Sequence, residues 1–164
     1  MNGNSLELHV CKRSKRKLNG ELRLQPDATS CGPIAIINAY KDINGKFPKI
    51  SVKRLRRNCK TNDGYGTFRW NLPDNSLIRL NKPVYDIDRI MNMDRFILLY
   101  SFHQENQHYV YVTRLAGNYQ VYNYCDHSTG YHHKNMNKKQ FKELLQNNPR
   151  CEYDLDYPLA WTIN

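Results

Sequence analysis

The chain has 164 residues, a length that suits one domain built around a single hydrophobic core. Hydrophobic residues make up 40% and aromatic residues 12% of the sequence, which excludes the composition of a disordered chain. The formal net charge is +10, so a polyanion such as nucleic acid, or an acidic protein surface, is an expected partner.

The start of the sequence lacks the apolar segment of a signal peptide, and no run approaches the ~18 apolar residues of a transmembrane helix. The cysteines number five and form no Cys-x-x-Cys pair. These observations predict reduced thiols in an intracellular protein, cytoplasmic or nuclear, with no membrane partner. The many Asn, Lys, Tyr and Ile residues are typical of AT-rich genomes, including viral ones.

Residues 1–24 are predicted to be a basic N-terminal arm, and residues 25–164 the folded domain. The arm carries a cluster of cationic side chains: Lys12, Arg13, Lys15, Arg16 and Lys17. Such a cluster is typical of a nuclear localisation signal or of an arm that binds nucleic acid. A solvated terminus without a partner is the alternative.

The folded domain opens with a polar turn at residues 25–30, and the apolar pattern after it predicts a buried helix from Cys31. Ser30 is its expected N-cap, and Pro33 lies in its first turn. The further predicted elements are a helix at 51–60, a turn at 62–67, a short helix near 68–72, strands at 96–102, 108–115 and 119–124, a helix at 138–146 and a strand at 157–163. Helices followed by an antiparallel sheet indicate an α+β fold.

The polar turn and the helix start form the most informative stretch of the sequence. A cysteine at a helix N-terminus faces unpaired backbone N–H groups and the positive end of the helix dipole, and both favour the nucleophilic thiolate. Gly32 is expected to let the backbone approach a substrate closely. The amide of Gln25 is expected to form an oxyanion hole with the Cys31 N–H. An inert, buried cysteine is the alternative interpretation.

The pattern Gln-x5-Cys-Gly-Pro-x-Ala, which begins at Gln25 and leads into a helix with Asn38, resembles the papain-like cysteine peptidase superfamily. Within it, the pattern is most similar to the bacteriocin-processing peptidases that cut double-glycine leaders. The resemblance spans residues 25–163 and implies catalytic roles for Gln25, Cys31 and His108. It also implies N-terminal helices carrying the cysteine, packed against a C-terminal antiparallel sheet carrying the histidine. Ser30 departs from the acidic residue that is usual in the family.

The resemblance further implies a peptide or protein substrate with Gly near the cleavage site, and no cofactor. His108 begins a strand rich in Val and Tyr, which distinguishes it from the remaining histidines: His9, His103, His127, His132 and His133. It is therefore the predicted base.

A third residue is expected to fix the tautomer of the His108 ring. A three-residue loop, 116–118, pairs Leu115 with Tyr119 and places Asp126 opposite His108. A two-residue Gly117-Asn118 turn places His127 there instead. Asp126 also fits the family's Asp-x3-Gly, so it is the predicted orienting residue. Neither register gives Asn123 this role.

Two rival interpretations are weaker. The residues Cys125, Asp126, His127, His132 and His133 lack the paired spacing of structural zinc sites, so no metal is expected. The aromatic residues are explained by core packing within strands better than by base stacking. The sequence therefore predicts hydrolysis of a peptide or isopeptide bond by a Cys-His-Asp arrangement. The alternative is a catalytically inactive papain-like fold that binds nucleic acid or protein, in a viral or nuclear-targeted protein.

Overall fold

The structure is a computed structural model that describes residues 22–103, 106–126, 130–146 and 158–164. The five cations of the predicted arm lie outside these residues. The helices are α1 (Cys31–Asn44), α2 (Val52–Asn58), a 3-10 turn (Leu72–Asn75), α3 (Ile87–Met91) and α4 (Lys138–Gln146). The strands are β1 (Arg95–His103), β2 (Asn106–Leu115), β3 (Asn118–Tyr124), β4 (His132–Met136) and β5 (Leu159–Thr162).

The five strands form one antiparallel sheet in the order β4-β3-β2-β1-β5. One face of the sheet packs against α1 and α2, through alternate side chains such as Leu99 and Tyr109. The other face packs against α3 and α4, through the intervening side chains such as Leu98 and Val110. Both faces of β1 and β2 are covered in their central parts, and there the sequence is continuously apolar or aromatic, at residues 96–100 and 109–112. The α+β prediction is confirmed.

Helix α1 is the central helix, and its first nine residues are all buried. Its apolar side chains cover more than one face of the helix, because the sheet, α2 and the 3-10 turn surround it. It ends at Gly45, whose positive φ of 76° lets its N–H reach the Lys41 carbonyl at 2.8 Å. This rigid helix fixes the position of Cys31 at its first turn.

The hairpin between β2 and β3 differs from both predicted registers. Leu115 pairs with Asn118, so the turn consists of Ala116 and Gly117 alone. Both have positive φ, 52° and 79°, as a type I′ turn requires. The predicted pairing of Leu115 with Tyr119 is therefore wrong, and so is the Gly117-Asn118 turn. Alanine rarely adopts positive φ, so a two-residue turn at Ala116 and Gly117 was not expected from the sequence.

Within the described ranges, no helix has the length and apolar character needed to cross a membrane.

Candidate active site

Cys31 is the first residue of α1 and is only 6% exposed. Ser30 occupies the N-cap position, but its hydroxyl does not cap the helix: it donates to Asp27 Oδ2 at 2.9 Å. The first backbone N–H groups of the helix are therefore left for the Cys31 sulfur. That sulfur meets the N–H groups of Cys31, Gly32 and Tyr109.

The environment of Cys31 favours the neutral thiol. Burial raises its pKa from 9.0 to about 11, the backbone N–H groups lower it only in part, and the Asp27 carboxylate raises it further. The resting group is therefore a thiol. The backbone N–H groups at the helix terminus lower the pKa as expected, but desolvation outweighs them and the net shift is upward.

The turn before Cys31 is held by side chains from within the turn and from α2. The Asp27 carboxylate accepts from the Thr29 N–H at 3.0 Å, in addition to the Ser30 hydroxyl. Arg56 of α2 donates from Nη1 to Ser30 Oγ at 2.7 Å and to Thr29 Oγ1 at 2.9 Å. The same guanidinium pairs with Asp27 at 3.6 Å. Ser30, the residue before Cys31, is thus held in place by a cation of α2.

Gly32 is required by packing within the protein. A Cβ atom at Gly32 would lie 2.8 Å from Thr67 Oγ1 and 3.0 Å from Thr67 Cβ. The space beside Gly32 is therefore filled by the loop that follows α2. The direction of the missing Cβ is therefore closed to a ligand, and a close approach of substrate to the backbone elsewhere on Gly32 stays a prediction.

His108 is the third residue of β2 and is 3% exposed. Its ring stacks on Tyr131 at 5.6 Å between centroids and meets the edge of Tyr100 at 5.7 Å. Burial lowers the pKa of His108 from 6.5 to about 4, and the hydrogen bond to the Asn123 carbonyl opposes this only in part. The ring is therefore neutral near pH 7.

The tautomer of His108 is fixed by the backbone of Asn123. The ring nitrogen Nε2 lies 2.5 Å from the Asn123 carbonyl oxygen. A carbonyl oxygen only accepts hydrogen bonds, so Nε2 carries the hydrogen and Nδ1 carries the lone pair. Nδ1 is thus the basic nitrogen of the neutral ring.

Asn123 is the residue that the sequence analysis missed. Its φ is +63°, and the pairing of β3 with β4 shifts register at this point, so its side chain turns out of the strand pattern. Gln25 N–H donates to Asn123 Oδ1 at 3.0 Å, and Asn123 Nδ2 donates to Gln25 Oε1 at 2.7 Å. Its own N–H donates to His133 Nδ1 at 3.1 Å. The sequence did contain one signal of this irregularity: an asparagine, which tolerates positive φ, interrupts a strand rich in tyrosine.

Asp126 lies two residues after β3 and is partly buried. The register from which it was placed opposite His108 is wrong, and the N–H of Nε2 is accepted by the Asn123 carbonyl. Its role in orienting the ring stays a prediction. His127 lies outside the described residues.

The predicted residues Gln25, Cys31 and His108 are all buried, and they are linked through intermediate groups. Gln25 Nε2 donates to the Asp27 carbonyl at 2.6 Å, which links Gln25 to the turn before Cys31. Ser30, next to Cys31, also donates to Asp27. Asn123 contacts both Gln25 and His108, and the N–H of Tyr109, next to His108, meets the Cys31 sulfur. Cys31, His108 and the Gln25 amide are therefore joined by a continuous chain of contacts.

The remaining histidines of this region bind the backbone. His133 Nε2 lies 3.3 Å from the Leu22 carbonyl, and His132 Nδ1 lies 3.1 Å from the Gly130 carbonyl. Among the described residues, no three His, Cys, Asp or Glu side chains are grouped as metal ligands.

No protein-family model matches the chain, and a search of curated proteins found no match. The functional assignment therefore depends on the geometry of the cluster around Cys31 and His108.

Proposed function

We propose that the chain is a papain-like cysteine peptidase that hydrolyses a peptide or isopeptide bond, with Cys31 as nucleophile and His108 as base. One observation carries the proposal most directly. The Cys31 sulfur, at a helix N-terminus, meets the N–H of the peptide group that joins His108 to Tyr109. The proposed catalysis requires the basic Nδ1 of His108 to come within hydrogen-bond reach of that sulfur, and the shared backbone contact and the tautomer of the ring support this.

The proposed reaction starts from the neutral pair. As the sulfur attacks the carbonyl carbon, the thiol proton moves to Nδ1 of His108, and the carbonyl oxygen becomes an oxyanion. The second Nε2 hydrogen of Gln25 and the Cys31 N–H are the proposed donors to that oxyanion. His108 then returns the proton to the leaving amine, and water hydrolyses the thioester. Because the resting pKa values are about 11 and about 4, proton transfer accompanies attack rather than preceding it.

Asn123 orients the base in this proposal. Its carbonyl keeps the hydrogen on Nε2, and its side chain holds Gln25. The same residue therefore determines the tautomer of the base and the position of the proposed oxyanion donor.

The proposal is tested with peptides that end in Gly-Gly followed by a fluorogenic amine, and with a Gly-Gly vinyl sulfone that alkylates an activated thiol. We expect hydrolysis by the wild type and modification at Cys31. Cys31→Ala should abolish both, and His108→Gln should reduce both at least about 100-fold. Cys59→Ala is the matched control, because Cys59 is also buried but lies at the end of α2. Hydrolysis that survives in Cys31→Ala would contradict the proposal.

A second candidate function is a catalytically inactive papain-like fold that binds nucleic acid or protein. The burial of both Cys31 and His108 favours it, since the two residues are only 6% and 3% exposed. A folded wild type that neither hydrolyses these peptides nor reacts with the vinyl sulfone faster than Cys31→Ala would support this candidate.

A further inference from the structure

Three exposed aromatic side chains form a stack on the loop between α2 and the 3-10 turn. Tyr65, Phe68 and Trp70, here called the aromatic ladder, are 81%, 42% and 64% exposed. Phe68 and Trp70 lie 4.8 Å apart with an angle of 5° between their planes, and Tyr65 and Phe68 lie 6.4 Å apart at 24°. The expectation that core packing explains the aromatic residues is wrong for these three, which lie in a loop and face solvent.

The loop that carries the aromatic ladder is anchored by hydrogen bonds within itself and to the core. Asn62 and Gly66 exchange two backbone hydrogen bonds of 2.8 Å, and Asn62 Oδ1 accepts from the Gly64 N–H at 2.6 Å. Thr67, between two rings of the ladder, packs inward on α1, and its carbonyl accepts from Tyr109 OH at 2.8 Å. The rings are therefore presented outward by a loop anchored to the core, so little ordering entropy is lost when a ligand stacks on them.

The chain immediately before the ladder is strongly basic. Residues 51–60 contain five Lys or Arg and no Asp or Glu. Arg56 is engaged with the turn before Cys31 and with Asp63, so it neutralises the acidic residue nearest the ladder. The other cations of this stretch are exposed: Lys53, Arg54, Arg57 and Lys60.

We propose that the aromatic ladder and the exposed cations of residues 53–60 bind single-stranded nucleic acid. Nearly parallel exposed rings offer faces on which unstacked bases stack, and cations that are close in sequence can neutralise phosphates. An acidic peptide would gain from the positive charge but offers few planar groups to stack on three rings, so the combination favours single-stranded nucleic acid. The inference goes beyond the proposed peptidase function, and it assigns a binding site separate from the basic cluster at residues 12–17.

Binding is measured with the full chain and 12-nucleotide oligothymidine and oligouridine, by anisotropy of a labelled strand at several salt concentrations. Trp70→Ala and Tyr65→Ala, which remove the two end rings of the ladder, should each raise Kd at least about fivefold, the lower limit for loss of one base stack. Arg57→Ala should reduce the salt slope by about one. Tyr85→Ala is the matched control, because Tyr85 is an aromatic residue 49% exposed outside the ladder. This control should leave Kd unchanged. Comparison of oligothymidine with oligouridine shows whether the site prefers DNA or RNA.

Tryptophan fluorescence gives a second readout. Trp70 is exposed and Trp161 is 1% exposed, so stacking should quench the fluorescence of the wild type but not of Trp70→Phe. Three outcomes would overturn the proposal. The first is no binding at 50 mM salt. The second is binding that ladder variants leave unchanged but deletion of residues 12–17 abolishes. The third is a ladder variant that weakens peptide hydrolysis while oligonucleotide binding stays intact, which would assign the ladder to a peptide.

Discussion

The buried, neutral His108 makes the stability of the protein depend on pH. In the folded chain its pKa is about 4, whereas an exposed imidazole has 6.5. As the pH falls, the imidazole of the unfolded chain therefore binds a proton before that of the folded chain. The contribution of neutral His108 to the free energy of unfolding is complete above pH 6.5 and is lost as the pH falls toward 4. From these two values, the free energy of unfolding should decrease by about 2 kcal/mol at pH 5 and about 3 kcal/mol at pH 4.

His108→Gln isolates this contribution, because glutamine does not titrate and its amide can donate to the Asn123 carbonyl. Urea unfolding of both proteins between pH 7.5 and 5 avoids most carboxylate titration. We expect the wild type to lose about 2 kcal/mol more than the variant over this range. NMR titration of the His108 ring in the wild type measures the same pKa without a substitution. Parallel curves for the two proteins, or a ring that titrates near 6.5, would refute the buried geometry.

Three further substitutions test the surroundings of Cys31, each by urea unfolding. Gly32→Ala should lower the free energy of unfolding by about 1–3 kcal/mol, because the new Cβ would overlap Thr67; an unchanged midpoint would contradict that contact. Arg56→Ala should lower the free energy of unfolding by about 1–3 kcal/mol, because it removes the contacts to Ser30 and Asp27. Arg57→Ala, on the exposed side of α2, should lower it by less than about 0.5 kcal/mol, and equal effects would show that Arg56 does not hold the turn before Cys31. Asn123→Gly should be more stable than Asn123→Ala by about 1 kcal/mol, because only alanine is strained at φ +63°; the reverse order would show that this φ is wrong.

The periodic parts of the sequence predicted their elements well. β1 and α1 are long and apolar, so their burial left little choice of structure. β4 was missed because its sequence, His132–Met136, is mostly polar, and only Met136 is buried. α3 was missed because five residues are too few for a helical pattern to emerge.

The sequence identified those candidate residues whose position follows from a local pattern, such as the start of a helix or of a strand. Gln25, Cys31 and His108 were singled out from spacing and position, and contacts through Asn123 and the Tyr109 N–H link them in the structure. Asn123 was excluded because a strand register was assumed, and a hairpin turn with alanine at positive φ moved that register by one residue. Burial also reversed the expected charge on Cys31, since desolvation depends on tertiary packing that a linear sequence does not display.

The contact between Gln25 and Asn123 joins residues 98 positions apart, and this separation matters during synthesis on the ribosome. Translation proceeds at about 5–20 residues per second, so Cys31 leaves the ribosome several seconds before Asn123. Until then the His108 ring lacks the Asn123 carbonyl and the Gln25 side chain lacks its contacts with the Asn123 amide. A nascent chain therefore cannot join Gln25 to the sheet before β3 is in place, and this part of the structure is completed late in synthesis.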